Sequence, residues 1–192
     1  MSRIGKLPIP IPQNVEVVLQ GSSVCVKGPL GKLDYSLLDG ISAITEDQKI
    51  VVSRSNDTKE QKAFHGLTRA LVQNMVTGVH SGFEKSLQVI GVGFNVEQIG
   101  KWLKMSLGFS HDVYIEIPKH ISLKIIPGER GRKGGALAVV AHIVVSGISK
   151  EDVGKFAAEI RRVKPPENYK GKGIRYKGEY VKIKPGKKAA SQ

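Results

Sequence analysis

The chain has 192 residues, 30 Lys and Arg against 17 Asp and Glu, and a formal net charge of +13. Hydrophobic content of 40% supports a core, no run of about 18 apolar residues could span a bilayer, and the start Met1–Pro8 has no apolar signal segment. Transmembrane and secreted classes give way to the expectation of a soluble, intracellular, strongly basic protein. Its single cysteine, Cys25, permits neither an internal disulfide nor a zinc knuckle.

Val15, Val17 and Leu19 alternate along a first predicted strand, Gln20-Gly21-Ser22 turns, and Val24 and Val26 lead back. Gly28-Pro29-Leu30-Gly31 makes a second turn into Leu33, Tyr35 and Leu37 at period two. Ile44 and the run Ile50-Val51-Val52-Ser53 flank a polar turn at Glu46–Lys49. A helix is predicted from Asp57-Thr58, with Gln61 completing a capping box. Phe64, Leu67, Leu71, Met75 and Val79 form its expected buried stripe, and Gly78 and Gly82 mark its end.

The second half repeats that order. Leu87, Val89, Val92, Phe94 and Val96 alternate around Gly91 and Gly93, which read as glycines within strands. Leu103, Met105 and Leu107 alternate, then Val113, Ile115 and Ile117, then Ile121, Leu123 and Ile125. A further strand is predicted over Leu137–Val145, where Ile143-Val144-Val145-Ser146 copies Ile50-Val51-Val52-Ser53 at an offset of 93. Ser149 is the expected cap of a second helix, with Glu151 and Asp152 in its first turn. Val153, Phe156, Ile160 and Val163 make its stripe, Arg161, Arg162 and Lys164 close it, and Pro165-Pro166 stop it. The matching series predict an α+β fold of two duplicated small domains, each an antiparallel sheet covered by one helix, plus a basic C-terminal tail. The expected bounds are 1–82, 83–164 and 165–192.

The charge is uneven. Residues 1–160 hold 19 basic and 15 acidic side chains, whereas residues 161–192 hold 11 Lys and Arg against only Glu167 and Glu179, a net of +9. A smaller basic knot, Arg130-Gly131-Arg132-Lys133, lies among glycines. Catalysis finds no support. The five histidines have no metal-ligand spacing, and Cys25 sits between Val24 and Val26 as a small strand residue. Gly28-Pro29-Leu30-Gly31-Lys32 lacks the spacing of a phosphate loop, and Gly91-Val92-Gly93-Phe94 opens no helix. No metal, cofactor or catalytic residue is expected.

The tail carries the strongest chemistry. Two prolines fix an extended exit and deny it regular pairing. Lys170, Lys172, Arg175 and Lys177 suit phosphates, as do Arg161, Arg162 and Lys164 in the helix before them. Gly171 and Gly173 would let the backbone approach a phosphate. Tyr169 and Tyr176 offer faces for stacking, worth about 1–3 kcal/mol per base. Composition alone fits RNA, DNA or acidic lipid; the tail has no apolar anchoring face or lipidation motif, which demotes the membrane. A general nucleic-acid coat remains open at this level.

The stretch Pro165-Pro166-Glu167-Asn168-Tyr169-Lys170-Gly171-Lys172-Gly173-Ile174-Arg175-Tyr176 closely resembles the signature of the large-subunit ribosomal protein six family (ribosomal protein L-six, bacterial type). The resemblance runs nearly end to end, through Ser2-Arg3-Ile4-Gly5-Lys6, Val26-Lys27-Gly28-Pro29-Leu30-Gly31, His65-Gly66-Leu67-Thr68-Arg69-Ala70-Leu71 and Gly82-Phe83-Glu84-Lys85. Pro127 to about Ala141, which carries the basic knot, looks longer than is usual for the family. The resemblance implies a non-enzymatic constituent of the large ribosomal subunit, bound to large-subunit (23S-type) rRNA. It implies a second domain and tail near the sarcin-ricin region, with elongation factors nearby and other large-subunit proteins as neighbours. It resolves the choice among RNA, DNA and lipid, and implies a ribosome in a cytoplasm or an organelle matrix. His65, Arg69 and Asn74 on the first helix stand between RNA contact and packing, and Ser2, Arg3 and Lys6 are candidates for a peripheral contact.

Overall fold

A computed structural model describes residues 5–128 and 139–185. The basic knot at 130–133, Ser2, Arg3 and the lysines at 187 and 188 lie outside the described residues. The chain forms two compact units: residues up to Phe83 together with Ile148–Lys150, and Glu84–Gly147 together with the residues from Glu151 onward.

The first unit runs β1 (Ile9–Pro10), β2 (Glu16–Gln20), β3 (Ser23–Gly28), β4 (Gly31–Ser36), β5 (Ile41–Glu46), β6 (Lys49–Arg54) and α1 (Lys59–Ser81). These strands make two antiparallel sheets, in the orders β2-β3-β4 and β1-β6-β5. Alternation does what it should: Val24 and Val26 on the central β3 are fully buried, and so is Ile50 on β6. Between β5 and β6, Asp47 and Gln48 both take positive φ, 45° and 59°. Such a turn matches the strands' right-handed twist, and Asp tolerates the left-handed region well.

Helix α1 begins where its sequence predicts, with the Thr58 side chain accepting from the Gln61 N–H at 3.3 Å. Only half of the capping box forms. Asn56 Oδ1 takes the Thr58 N–H, and Gln61 Nε2 donates to the Asp39 carbonyl at 2.8 Å. The buried stripe differs from the expected one. It runs through His65, Thr68, Val72, Met75 and Val79, whereas Leu67 is 49% exposed and Phe64 and Leu71 are half-buried. Neighbouring helical positions point about 100° apart, so a stripe shifted by one residue trades Phe64 and Leu71 for His65 and Val72.

His65 can lie inside because both ring nitrogens are satisfied. Nδ1 is 2.8 Å from Arg54 Nη1 and Nε2 is 2.8 Å from the Val52 carbonyl. A guanidinium only donates, so Nδ1 accepts and Nε2–H donates to Val52.

The second unit runs β7 (Phe83–Ile90), β8 (Asn95–Ile99), β9 (Trp102–Ser106), β10 (Val113–Glu116), β11 (Ile121–Pro127), β12 (Val139–Gly147), α2 (Lys150–Val163) and β13 (Gly173–Tyr176). Its sheets are β10-β9-β8 and β11-β12-β7-β13. The plan of the first unit recurs: a three-stranded meander, a second sheet, and a helix after the strand bearing Ile-Val-Val-Ser. Ile50 and Val52 on β6 are buried, and so are Ile143 and Val145 on β12. Two residues join β5 to β6, but eleven join β11 to β12.

Two local expectations change. Gly91 and Gly93 lie in a turn between β7 and β8, where the Phe94 N–H reaches the Gly91 carbonyl at 3.3 Å. The Gly93 φ of 81° at the third turn position is what glycine supplies in a type II turn. The proline pair does not keep the tail out of the sheet either. Gly173–Tyr176 pair antiparallel with Ile90–Leu87, and Ile174 is fully buried. The first unit has no counterpart of β13 among its described residues, so the basic segment supplies the fourth strand that distinguishes the two sheets.

Candidate nucleic-acid interface

Helix α2 buries Val153, Phe156, Ala157 and Ile160, so its opposite side and last turn carry the charge. Arg162 is exposed there. Arg161 is not a free cation. Its Nε donates to Glu179 Oε2 at 3.1 Å, its Nη2 to Glu179 Oε1, and its guanidinium lies 5.8 Å from the Tyr176 ring centroid. The Arg161 hydrogen bonds, helped by the Tyr176 N–H at 2.9 Å, hold the Glu179 carboxyl below the usual carboxylate range. Of the two acidic residues beyond position 160, Glu179 is therefore consumed in fastening this segment to α2.

The prolines end the helix, and the next residues close a short loop. The Glu167 N–H donates to the Lys172 carbonyl at 2.8 Å, and the Gly171 N–H donates to the Glu167 carbonyl at 3.0 Å. Gly171 has φ 64°, and both it and Gly173 are buried. A Cβ at Gly173 would stand 2.6 Å from the Pro165 carbonyl oxygen and 2.9 Å from that of Lys164. Gly173 therefore serves the fold from within, because it is the protein's own chain that approaches its backbone, and Gly171 gives its N–H to the loop. Their bareness lets the loop close and β13 pass beneath the helix exit.

On that framework Tyr169 is 58% exposed, Lys170 and Lys177 are exposed, and Lys172 and Arg175 are half-buried. Among the described residues no carboxylate pairs with Arg162, Lys170, Lys172 or Lys177. Arg175 Nε is 3.4 Å from Gln88 Oε1. Beyond β13 the chain doubles back, and the Lys184 N–H donates to the Asn168 carbonyl at 2.7 Å. The expected tail is thus a loop, a strand and a returning segment, presenting cations and two exposed tyrosines, Tyr169 and Tyr180.

Sequence reasoning missed two aromatic contributions. Lys164 Nζ sits 4.1 Å from the Phe109 ring centroid, a cation–π distance. Phe109 is itself 41% exposed and stacked on His111 at 5.9 Å. Gly108-Phe109-Ser110-His111 is an aromatic loop between alternating strands, which was the available signal.

The first helix contributes differently. His65 is buried, with both ring nitrogens engaged inside the first unit, and so packs. Arg69 is half-buried, its Nε donating to the Leu7 carbonyl at 3.2 Å. Asn74 is half-buried and accepts from Lys150 Nζ at 3.3 Å, Lys150 being grouped with the first unit. Lys6 is exposed. Cys25 is no thiolate: desolvation, then its hydrogen bond to Asp34, pushes its thiol up. No helix among the described residues is long and apolar enough to cross a membrane.

The family model described as ribosomal protein L6 matches residues 11–82 and 90–177, covering most of both units and reaching one residue past β13. Curated relatives agree over almost the full length of both partners. The large ribosomal subunit protein uL6 of Gloeobacter violaceus is 46% identical over 187 residues, 97% of this chain and 98% of the relative. That of Moorella thermoacetica is 47% identical over 192 residues, 99% and 97%. That of Dictyoglomus thermophilum is 48% identical over 188 residues, 97% and 98%. Two units built to one plan, a fourth strand drawn from a basic C-terminal segment, and matches of this length lead to one conclusion: the chain belongs to the ribosomal protein L6 family.

Proposed function

We propose that the protein is a structural constituent of the large ribosomal subunit that binds large-subunit rRNA and stabilises its fold during translation. The RNA-facing surface is built on the second unit by Arg162, Lys164, Lys170, Lys172, Arg175 and Lys177, with Tyr169 for stacking. The observation that carries this is the net charge of +9 after residue 160, with Lys170 and Lys172 set on a closed loop and Arg175 on a paired strand. Arranged so, lysines and arginines meet phosphates with little ordering still to be done, and each phosphate neutralised releases counterions. Arg161, Gly171 and Gly173 serve the same surface from within, by fastening and shaping it. Its placement near the sarcin-ricin region, with elongation factors and other large-subunit proteins as neighbours, belongs to the same proposal and rests on family resemblance.

The test is cosedimentation with large subunits through a high-salt wash, followed by competition between large-subunit rRNA and unrelated RNA. Retention and preference for large-subunit rRNA are expected. Equal competition by unrelated RNA would reduce the protein to a general coat.

A further inference from the structure

The loop Glu167–Lys172, the β7–β8 turn and the segment after β9 enclose a cleft of about 400 Å³, lined chiefly by Val92, Phe94, Leu107, Lys164, Glu167 and Lys172. Three kinds of surface meet there. Val92, at the tip of its turn, is 80% exposed, and with the half-buried Phe94 it makes the apolar wall of the cleft, backed by the buried Leu107. Two lysines supply positive charge, Lys164 lying over the exposed Phe109 ring. One carboxylate, that of Glu167, has no partner among the described residues. Its backbone is tied at both its N–H and its carbonyl into the loop, so the side chain springs from a fixed place.

A carboxylate inside a phosphate-binding surface repels the backbone of its ligand, but it is the right acceptor for a base edge rich in N–H groups. Among the four RNA bases only guanine presents two adjacent donors, N1–H and the N2 amine, matching two carboxylate oxygens. Uracil offers one donor between two carbonyls, and adenine and cytosine offer an amine beside a ring acceptor. An unpaired base also brings an apolar face to lay against an apolar wall and flanking phosphates to meet lysines.

We propose that this cleft takes an unpaired guanine of the bound RNA. Its Watson–Crick edge lies on the Glu167 carboxylate, its ring against Val92 and Phe94, and its flanking phosphates on Lys164 and Lys172. This rests on reading the second unit as an RNA-binding surface and adds to it a point of base discrimination.

The test uses the full chain and short single-stranded RNAs, all uridine except for one central guanosine, inosine, adenosine or uridine. Binding is read by fluorescence anisotropy across a salt series. The guanosine RNA should bind about tenfold tighter than all-uridine RNA, with inosine, which lacks the N2 amine, in between. E167Q should bring the guanosine-to-uridine ratio close to one, since an amide places a donor against a donor. V92D, at a position too exposed to affect folding, should lower the same ratio by charging the wall. Equal binding of all four RNAs, with the usual steep fall in salt, overturns the guanine cleft and leaves the basic surface standing. No binding to any of them at low salt overturns both. A guanosine preference undiminished in E167Q overturns the role of Glu167.

Discussion

Replacing Gly173 by alanine tests how the basic segment is built into the fold. The added Cβ would meet Pro165 O at 2.6 Å, Pro166 Cα at 2.8 Å and Lys164 O at 2.9 Å, all of them backbone atoms that cannot swing aside. The residue also has φ 136°, a region that disfavours alanine by about 1–3 kcal/mol. Relief requires β13 to move off β7, which uncovers the fully buried Ile174, worth about 1.5–3 kcal/mol. G173A should therefore destabilise the second unit by about 3–5 kcal/mol. Gly178 is the internal comparison: its φ is 87°, yet nothing lies within 4 Å of its added Cβ, so G178A carries backbone strain alone, about 1–2 kcal/mol. Trp102, the only tryptophan, lies on β9 and makes fluorescence a reporter of the second unit in urea unfolding. Hydrogen exchange at the Ile174 amide, bonded to the Lys164 carbonyl at 2.7 Å, reads β13 itself. Equal losses in the two variants, with Ile174 still protected in G173A, would refute the account.

Three other outcomes are expected. Because the carboxyl of Glu179 is held below its ordinary value in the folded state, its stabilisation is complete above the unfolded carboxylate range. It is lost as pH falls through that range and below; E179Q should remove that part of the acid dependence in urea midpoints measured from neutral to acid pH. H65L should cost about 1–3 kcal/mol, by stranding the Val52 carbonyl and an Arg54 donor, and hydrogen exchange along α1 should show it. K170A with K172A should lower the slope of log affinity against log salt by about one to two units, with the unfolding midpoint unmoved.

Much of this architecture is legible in the chain. Strand alternation places Val24, Val26, Leu103 and Met105 inside, the repeated Ile-Val-Val-Ser marks equivalent strands, and the caps at Thr58 and Pro165-Pro166 bound the helices. What escapes depends on partners distant in sequence. Periodicity cannot choose between two stripes one residue apart when the winning one buries a histidine, because the satisfaction of His65 comes from Val52 and Arg54. Gly173-Ile174-Arg175-Tyr176 holds too few apolar residues to announce a strand, and β7 supplies the pairing. Nor can composition tell a cation free for phosphate from one engaged: Arg161 and Arg162 are adjacent, and only the return of Glu179 to α2 separates them.

The fourth strand of the second sheet also orders events in time. While a ribosome is making this chain, the first unit's strands and α1 are all in hand by Ser81 and can pack early, with only Ile148–Lys150 to join them later. The second sheet waits for its last neighbour: until Gly173–Tyr176 arrives, β7 has one side open to any other strand it meets. The residues that close that side carry Arg175 and lie between Lys172 and Lys177, so completing the sheet and presenting these charges are one event. If the proposed surface is the one that meets RNA, a newly made chain acquires that grip once its second unit is sealed.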